Sequence, residues 1–396
     1  MAADITQLGL LLFVSALVAM LTRRLRLPYT VGLVLAGVGL HLAHARIDLQ
    51  LSRDLIFSLF LPPLIFEAAL CTRWAELRRE LPVVTLLATV GVLLAAAVTA
   101  AGMRYGFSWS WGNACVFGLL IAATDPVAVI ATFKEARVPG RVRLLIESES
   151  LLNDATAAVA FVTALALLAG APANPGAIAS TLLLAVGGGI AAGLLAGWAF
   201  LLLAGRTEDH LVEFTLTTLA AYGAFFLAEH FRCSGVLAAL TAGLVVGNRA
   251  PRGATGDARE HSLEIFWEYV AFLANSLIFL LIGAQLAQQH FAALWAPIVA
   301  AIALVTLGRA LAIYPLCALF VGSRLKVEPA QQHVLFWGGL RGALALALAL
   351  ALPAAMQDRA TIITLTYSVV VFSVFVQGLT ITPLLRRLGQ ISTSHH

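Results

Sequence analysis

Residues 116–130 run Val116-Phe117-Gly118-Leu119-Leu120-Ile121-Ala122-Ala123-Thr124-Asp125-Pro126-Val127-Ala128-Val129-Ile130, an apolar stretch interrupted once, by a threonine, an acid and a proline. With oil on both sides, Asp125 lies inside an apolar medium, where an ionisable side chain costs at least ~2.5–3.5 kcal/mol even on lenient insertion scales. Pro126 has no N–H and clashes with the preceding turn. A helix here therefore breaks or unwinds, freeing carbonyls that only protein packing or a polar cavity can satisfy. Thr124 and Asp125 supply oxygens at that break. A helix start at the membrane surface, with Asp125 as N-cap and Pro126 at the first helical position, is the blander reading. The apolar run through Val127–Ile130 weighs against it.

Composition extends the argument to the whole chain. Its 396 residues are 60% hydrophobic and 12% charged, with mean hydropathy +0.92, where soluble domains carry about 25% charged residues. A bilayer core of ~30 Å takes about 20 residues of helix. Apolar runs between charged or Gly/Pro breaks fall at 5–21, 28–43, 54–71, 81–103, 111–133, 145–169, 175–204, 209–230, 233–248, 263–286, 291–321, 331–352 and 360–386, which predicts an all-α polytopic membrane protein with about thirteen spans. The first run lacks a basic leader and reads as a span, not a cleavable signal. Intrinsic disorder is excluded by the apolar content. Nucleic-acid binding is a poor fit, because the basic residues are scattered over short loops. Cys71, Cys115, Cys233 and Cys317 show neither disulfide-scaffold nor zinc-ligand spacing.

Basic residues set the expected orientation. With the N-terminus outside, the inward loops hold Arg23, Arg24, Arg26, Arg73, Arg78, Arg79, Lys134, Arg137, Arg141, Arg143, Arg206, Arg249, Arg252, Arg259, Arg324, Lys326, Arg386 and Arg387. The outward loops hold only Arg46, Arg53, Arg104, Arg232 and Arg359, so the positive-inside rule places the N-terminus outside and the C-terminus in the cytoplasm. Trp74, Trp109, Trp111 and Trp295 read as interfacial belt residues.

Three further features stand in oil. Glu149-Ser150-Leu151-Leu152-Asn153-Asp154 opens the sixth span, and helical spacing stacks Glu149 on Asn153 and Ser150 on Asp154, a stripe of oxygens on one face. A capping box at Ser150 is the plainer alternative, but it does not explain two carboxylates five apart in a membrane helix. Trp337-Gly338-Gly339-Leu340-Arg341-Gly342-Ala343 puts three glycines around an arginine in the twelfth span. This weakens the helix and lets a neighbour cross closely. Glu149 is the best partner for Arg341, with Asp125 or helix-end carbonyls as alternatives. Arg309, inside the eleventh span, pairs with an acid of the bundle, compensates half-helix dipoles or snorkels. Spans 5 and 12 run in opposite directions and each carries a break, as two inverted repeats over spans 1–6 and 8–13 would produce, with the breaks crossing near the midplane.

Oxygens from Thr124, Asp125, Ser150 and Asp154 form a hard anionic cage suited to Na⁺ or Li⁺, without imidazole or thiolate for a transition metal. A carboxylate holds either the metal ion or a proton. A site forced to choose between them and exposed alternately to each side is an antiporter. K⁺/H⁺ exchange by the same architecture is the nearest alternative. A passive cation channel would explain acids in a pore but needs no site that titrates on one side at a time. An intramembrane hydrolase would need a nucleophile or metal constellation that the sequence lacks.

Four motifs, Leu61-Pro62-Pro63-Leu64-Ile65-Phe66-Glu67, Ala123-Thr124-Asp125-Pro126-Val127-Ala128-Val129, Glu149 to Asp154, and Gly338-Gly339-Leu340-Arg341-Gly342-Ala343, occur in this order across most of the chain. They resemble the sodium/proton exchangers of the monovalent cation:proton antiporter-1 family. The resemblance implies a homodimer with thirteen spans per subunit, active in sodium transport and pH regulation, that is not an enzyme and carries no cofactor. It implies scaffold helices over 1–80 and 170–290, an ion-translocating core over 81–169 and 291–386, and a short cytoplasmic tail over 387–396. By motif match Asp154 is the principal cation- and proton-binding carboxylate, Asp125, Thr124 and Ser150 are co-ligands of Na⁺, Asn153 steadies the site, Glu149 pairs with Arg341, and Arg309 is structural. Asn153 stands where electrogenic relatives carry an Asp, which implies electroneutral exchange of one Na⁺ for one H⁺. The short form, with Lys134 and Lys326 the only lysines among 25 basic residues, looks prokaryotic, with the chain in the cytoplasmic membrane. The expected partners are a monovalent cation, a proton, membrane lipid and a second copy of the chain, with no nucleic acid.

Overall fold

A computed structural model describes residues 2–25, 27–43, 51–125, 133, 138, 140–172, 174–204, 206, 209–249, 254–289 and 291–390, and every regular element among them is helical. The helices are α1 (Ala2–Leu25), α2 (Tyr29–Leu42), α3 (Leu61–Leu70), α4 (Trp74–Leu86), α5 (Val92–Phe107), α6 (Trp111–Ala122), α7 (Gly140–Leu168), α8 (Pro175–Ala204), α9 (His210–His230), α10 (Gly235–Arg249), α11 (Ala254–Leu286), α12 (Trp295–Ala318), α13 (Pro329–Gly338), α14 (Ala343–Leu350), α15 (Arg359–Phe372) and α16 (Gly378–Arg387). Wider π-helical turns lie at Leu55–Phe60, Leu87–Gly91 and Ser373–Gln377.

Among the described residues, eight helices are long and apolar enough to cross a membrane, and α13 with α14, bent by 41° at its break, supplies a ninth. Shorter apolar helices at Tyr29–Leu42, Leu55–Leu70, Trp111–Ala122 and Gly235–Asn248 fall on other predicted spans. The break foreseen at Pro126 begins earlier, since α6 stops at Ala122 and Ala123 turns extended (φ −57, ψ 140). Pro126 and residues 127–132 lie outside the described residues. Helix starts follow local chemistry: the Ser110 hydroxyl accepts the Asn113 N–H at 3.1 Å, and Asp209 accepts the Leu211 N–H at 2.8 Å.

Trp109 corrects an expectation. It is 8% exposed and meets Phe117 edge-on at 5.7 Å, because left-handed backbone at Ser108 (φ 57) ends α5 just before it. Trp74, Trp111 and Trp295 are exposed as expected of belt residues.

The chain divides into two compact units. The first comprises Met1–Arg53, Pro82–Asn153 and Ser276–His396. In it α5 packs on α6 and α12 at small residues. A methyl on Gly118 would come within 2.3 Å of the Ala96 carbonyl oxygen, and one on Gly308 within 2.8 Å of that of Ala95. Val84, Phe133, Leu145, Ile313, Leu340 and Ile381 belong to its buried core. At one end of the interrupted helices, Asn113 Nδ2 on α6 donates to the Gln357 carbonyl and to the Asp358 carboxylate at 3.1 and 3.0 Å. Beside it Arg359 Nε donates to the Leu352 carbonyl at 2.9 Å, just past α14.

The second unit comprises Asp54–Leu81 and Asp154–Asn275. Here α3, α8, α9 and α10 pack together around Phe66 and Trp267, whose rings lie 4.6 Å apart, and Trp267 Nε1 donates to Thr217 Oγ1 at 3.1 Å. Compactness groups α1, α2 and the end of α11 with residues 82–153, and residues 154–169 with α8–α10. The expected partition into scaffold and core is one of motion, a different property.

A methyl on Gly247 would come within 2.0 Å of the Leu70 carbonyl oxygen, whereas one on Gly223 meets nothing within 4 Å. Backbone cannot swing aside as a side chain can, so Gly247→Ala should cost about 1–3 kcal/mol. Gly223→Ala should be neutral or mildly stabilising through helix propensity. Thermal melts of the detergent-solubilised variants check both signs.

Candidate functional site

Breaking α6 after Ala122 leaves the carbonyls of its last turn without helical N–H partners. Arg341 meets that need. Its guanidinium, 3% exposed, donates from Nη1 to the carbonyls of Ala122 and Ala123. It also places a cation at the negative end of a helix dipole. The second break answers the first: α13 ends at Gly338, and the Leu340 carbonyl accepts the Asp125 N–H at 2.7 Å. Each interruption thus satisfies backbone groups of the other, and the two breaks meet as expected.

The Asp125 side chain lies directly on Gly342. A Cβ there would fall 1.9 Å from Asp125 Oδ2, so only glycine fits.

Against this crossing α7 turns its polar face. Asn153, fully buried, accepts the Thr124 N–H at its Oδ1 (3.2 Å) and donates from Nδ2 to Thr124 Oγ1 (2.6 Å) and Glu149 Oε1 (2.9 Å). Reversing the amide would set its oxygen against the carboxylate, so the network fixes the orientation. The hydroxyls of Thr124 and Ser150 lie 2.8 Å apart. A hydrogen-bonded chain therefore runs from Ser150 through Thr124 and Asn153 to Glu149.

Glu149 does not pair with Arg341 as expected; its partner is Arg309. Nη1 and Nη2 of Arg309 each donate to one Glu149 oxygen at 2.8 Å, and Nη2 also donates to the Leu335 carbonyl at 3.0 Å. The reason is physical: Arg341 sits inside the break, beside carbonyls that need a donor, while Arg309 approaches from α12 with both forks free for the carboxylate. Gly339 makes room, since a Cβ there would lie 2.6 Å from Arg309 Nε.

Thr124, Ser150, Asn153, Glu149 and Arg309 are thus assembled into one network, with Asp125 and Arg341 at the adjoining crossing. Asp154 follows Asn153 on α7 and is half-buried. Helical spacing puts it on the face of Ser150, one turn on. Among the described residues, no group of three His, Cys, Asp or Glu side chains converges as a metal site. A cation here would have to draw on hydroxyl and carbonyl oxygens beside carboxylate.

A family model described as sodium/hydrogen exchanger, transmembrane, matches residues 10–387. The Na(+)/H(+) antiporter ApNhaP of Aphanothece halophytica is 38% identical over 372 residues, 92% of this chain and 70% of its own length. The Na(+)/H(+) antiporter NhaH of Halobacillus dabanensis is 33% identical over 399 residues, 97% and 98% of the two chains. A solved structure of the sodium proton antiporter MjNhaP1 from Methanocaldococcus jannaschii has the same fold, with a TM-score of 0.76 at 21% identity over 98% of this chain and 97% of that one. The chain is an integral membrane protein of the transporter class, and it belongs to the sodium/hydrogen exchanger family.

Removing Arg309 strands a buried carboxylate, a loss of about 3–5 kcal/mol for a pair of this kind. Arg309→Gln should therefore lower the melting temperature sharply, and Glu149→Gln in the same chain should restore part of it. In double-mutant cycles the coupling of Glu149 to Arg309 should exceed that of Glu149 to Arg341 by at least about 1 kcal/mol.

Proposed function

We propose that the chain exchanges Na⁺, or Li⁺, for H⁺ across the membrane, one for one, with Asp154 and Asp125 as the groups for which cation and proton compete. The observation that carries this reading is the meeting of two interrupted helices beside a buried hydroxyl and amide cluster, in which Thr124 of the first break meets Ser150 and Asn153 of the helix that also bears Asp154. Interrupted helices at a crossing are how secondary transporters build ion sites. Family membership and relatives named as Na(+)/H(+) antiporters support the choice of sodium and proton.

In this reading Thr124 and Ser150 contribute oxygens to the cation, and Asn153 holds Thr124 in place. Glu149 is neutralised by Arg309 and does not join the competition. A carboxylate at 153 would face Glu149 at about the 2.9 Å now spanned by a hydrogen bond, and two carboxylates that close cannot both stay ionised. The amide avoids this and leaves fewer charges to move, which supports electroneutral exchange. We further infer about thirteen crossings in two inverted repeats, with the N-terminus outside and the C-terminus in the cytoplasm of a prokaryotic cell. The chain works as a homodimer in which a core of 81–169 and 291–386 moves against the scaffold of 1–80 and 170–290.

Purified protein in liposomes with an imposed pH gradient should move Na⁺ and H⁺ in opposite directions, and K⁺ far less. Asp154→Asn should reduce exchange at least tenfold; full activity in that variant rejects the assignment. Clamping the membrane potential over about 100 mV, worth ~2.3 kcal/mol per charge moved, should leave the rate within twofold. A steep voltage response would reject the one-for-one ratio.

A further inference from the structure

Beside the Glu149–Arg309 pair lies a cavity of about 10 Å³, lined by Thr306, Arg309, Gly339, Arg341, Ser373 and Gln377 and flanked by apolar side chains of α12, α13 and α15. Three of its polar residues are deeply buried: Ser373 is 1% exposed, Gln377 6% and Arg309 7%. The Nε of Arg309 is buried and has no hydrogen-bond partner among the described residues. A buried donor on a charged group is costly when left unmet.

Backbone geometry brings acceptors to the same place. Ser373 and Gln377 open and close a π-helical turn, in which the Gly378 N–H bonds back five residues to the Ser373 carbonyl. In the widened turn the two side chains, four residues apart, share a face. Such turns are frequent at functional sites.

We propose that this cavity is a binding site for one water molecule, held by Arg309 Nε–H, the Ser373 hydroxyl and the Gln377 amide. Size and chemistry agree. A water needs roughly 10–15 Å³ by this measure and typically makes about three hydrogen bonds. Here its oxygen accepts from Arg309 Nε, and its two hydrogens go to Gln377 Oε1 and Ser373 Oγ. A halide is larger than water, and the cavity is at the lower end of what a single water occupies. The bound water fixes the third face of the guanidinium whose other nitrogens hold Glu149, and Glu149 in turn orients Asn153 and Thr124. Ser373 and Gln377 are therefore positioning residues for the cation site although neither touches the cation. This last step rests on the exchange reading; the water site itself does not.

Two arms test the proposal. A cryo-EM map of the wild-type chain at water-resolving quality should show an isolated peak about 3 Å from Arg309 Nε. A cavity without a peak overturns the site, and so does a peak that responds to replacing chloride by bromide. For transport, Ser373→Thr and Ser373→Val add equal volume and differ in the hydroxyl alone. The Thr variant should keep the wild-type half-saturating Na⁺ concentration, while the Val variant, and Gln377→Met as an independent change, should raise it three- to tenfold at a similar maximal rate. Equal behaviour of Thr and Val in monodisperse protein overturns the positioning role. If the wild-type chain exchanged no Na⁺ for H⁺, the exchange reading would fall while the map still decided the water.

Discussion

Two helices stop in the middle of an apolar protein, and the backbone groups they leave open are satisfied by each other. This mutual satisfaction is the constraint on which the rest depends. Interrupted backbone in a membrane survives only where protein or a water-lined cavity completes its hydrogen bonds. The Asp125 N–H on the Leu340 carbonyl and Arg341 on the carbonyls ending α6 do this from both sides. Gly342 is glycine because Asp125 occupies the space of its Cβ, and Gly339 is glycine because Arg309 does the same there. Both glycines of the second break are thus explained by side chains from outside it.

Charge is arranged so that most of it is already spent. Arg309 neutralises Glu149 through a two-pronged contact, and Arg341 serves the end of a helix. What this leaves near Thr124 is a set of neutral oxygens in fixed positions, with Asp125 at the crossing and Asp154 on the helix that carries Ser150. Asn153 is the hinge of the arrangement because its two ends face opposite demands: the oxygen meets an N–H, and the nitrogen meets a carboxylate and a hydroxyl. A buried network in which each group is met this way specifies one geometry.

Much of this is legible in the amino-acid sequence. The predicted span 175–204 is α8 residue for residue, and the breaks near Asp125 and Arg341 followed from a proline and a run of glycines. The polar stripe on α7 followed from helical spacing alone. Which guanidinium meets Glu149 was not legible, because that depends on how far α12 and α13 are rotated about their own axes, which packing sets. One hint existed: adjacent glycines at 338 and 339 exceed what a single break needs and signal room for a bulky neighbour. The burial of Trp109 turns on one left-handed residue, Ser108, for which the sequence carries no glycine marker. The π-helical turns likewise have no compositional sign, so the Ser373–Gln377 face could not be foreseen.

The ties at the far ends of the interrupted helices bear on how the molecule can move. Asn113 fastens the start of α6 to Gln357 and Asp358, and Arg359 closes over the segment after α14. With one end pinned and the other braced at the crossing, neither half-helix can pivot alone without giving up several buried hydrogen bonds together. The crossing is thereby held as a rigid insert, and any compliance has to reside in the segments around it.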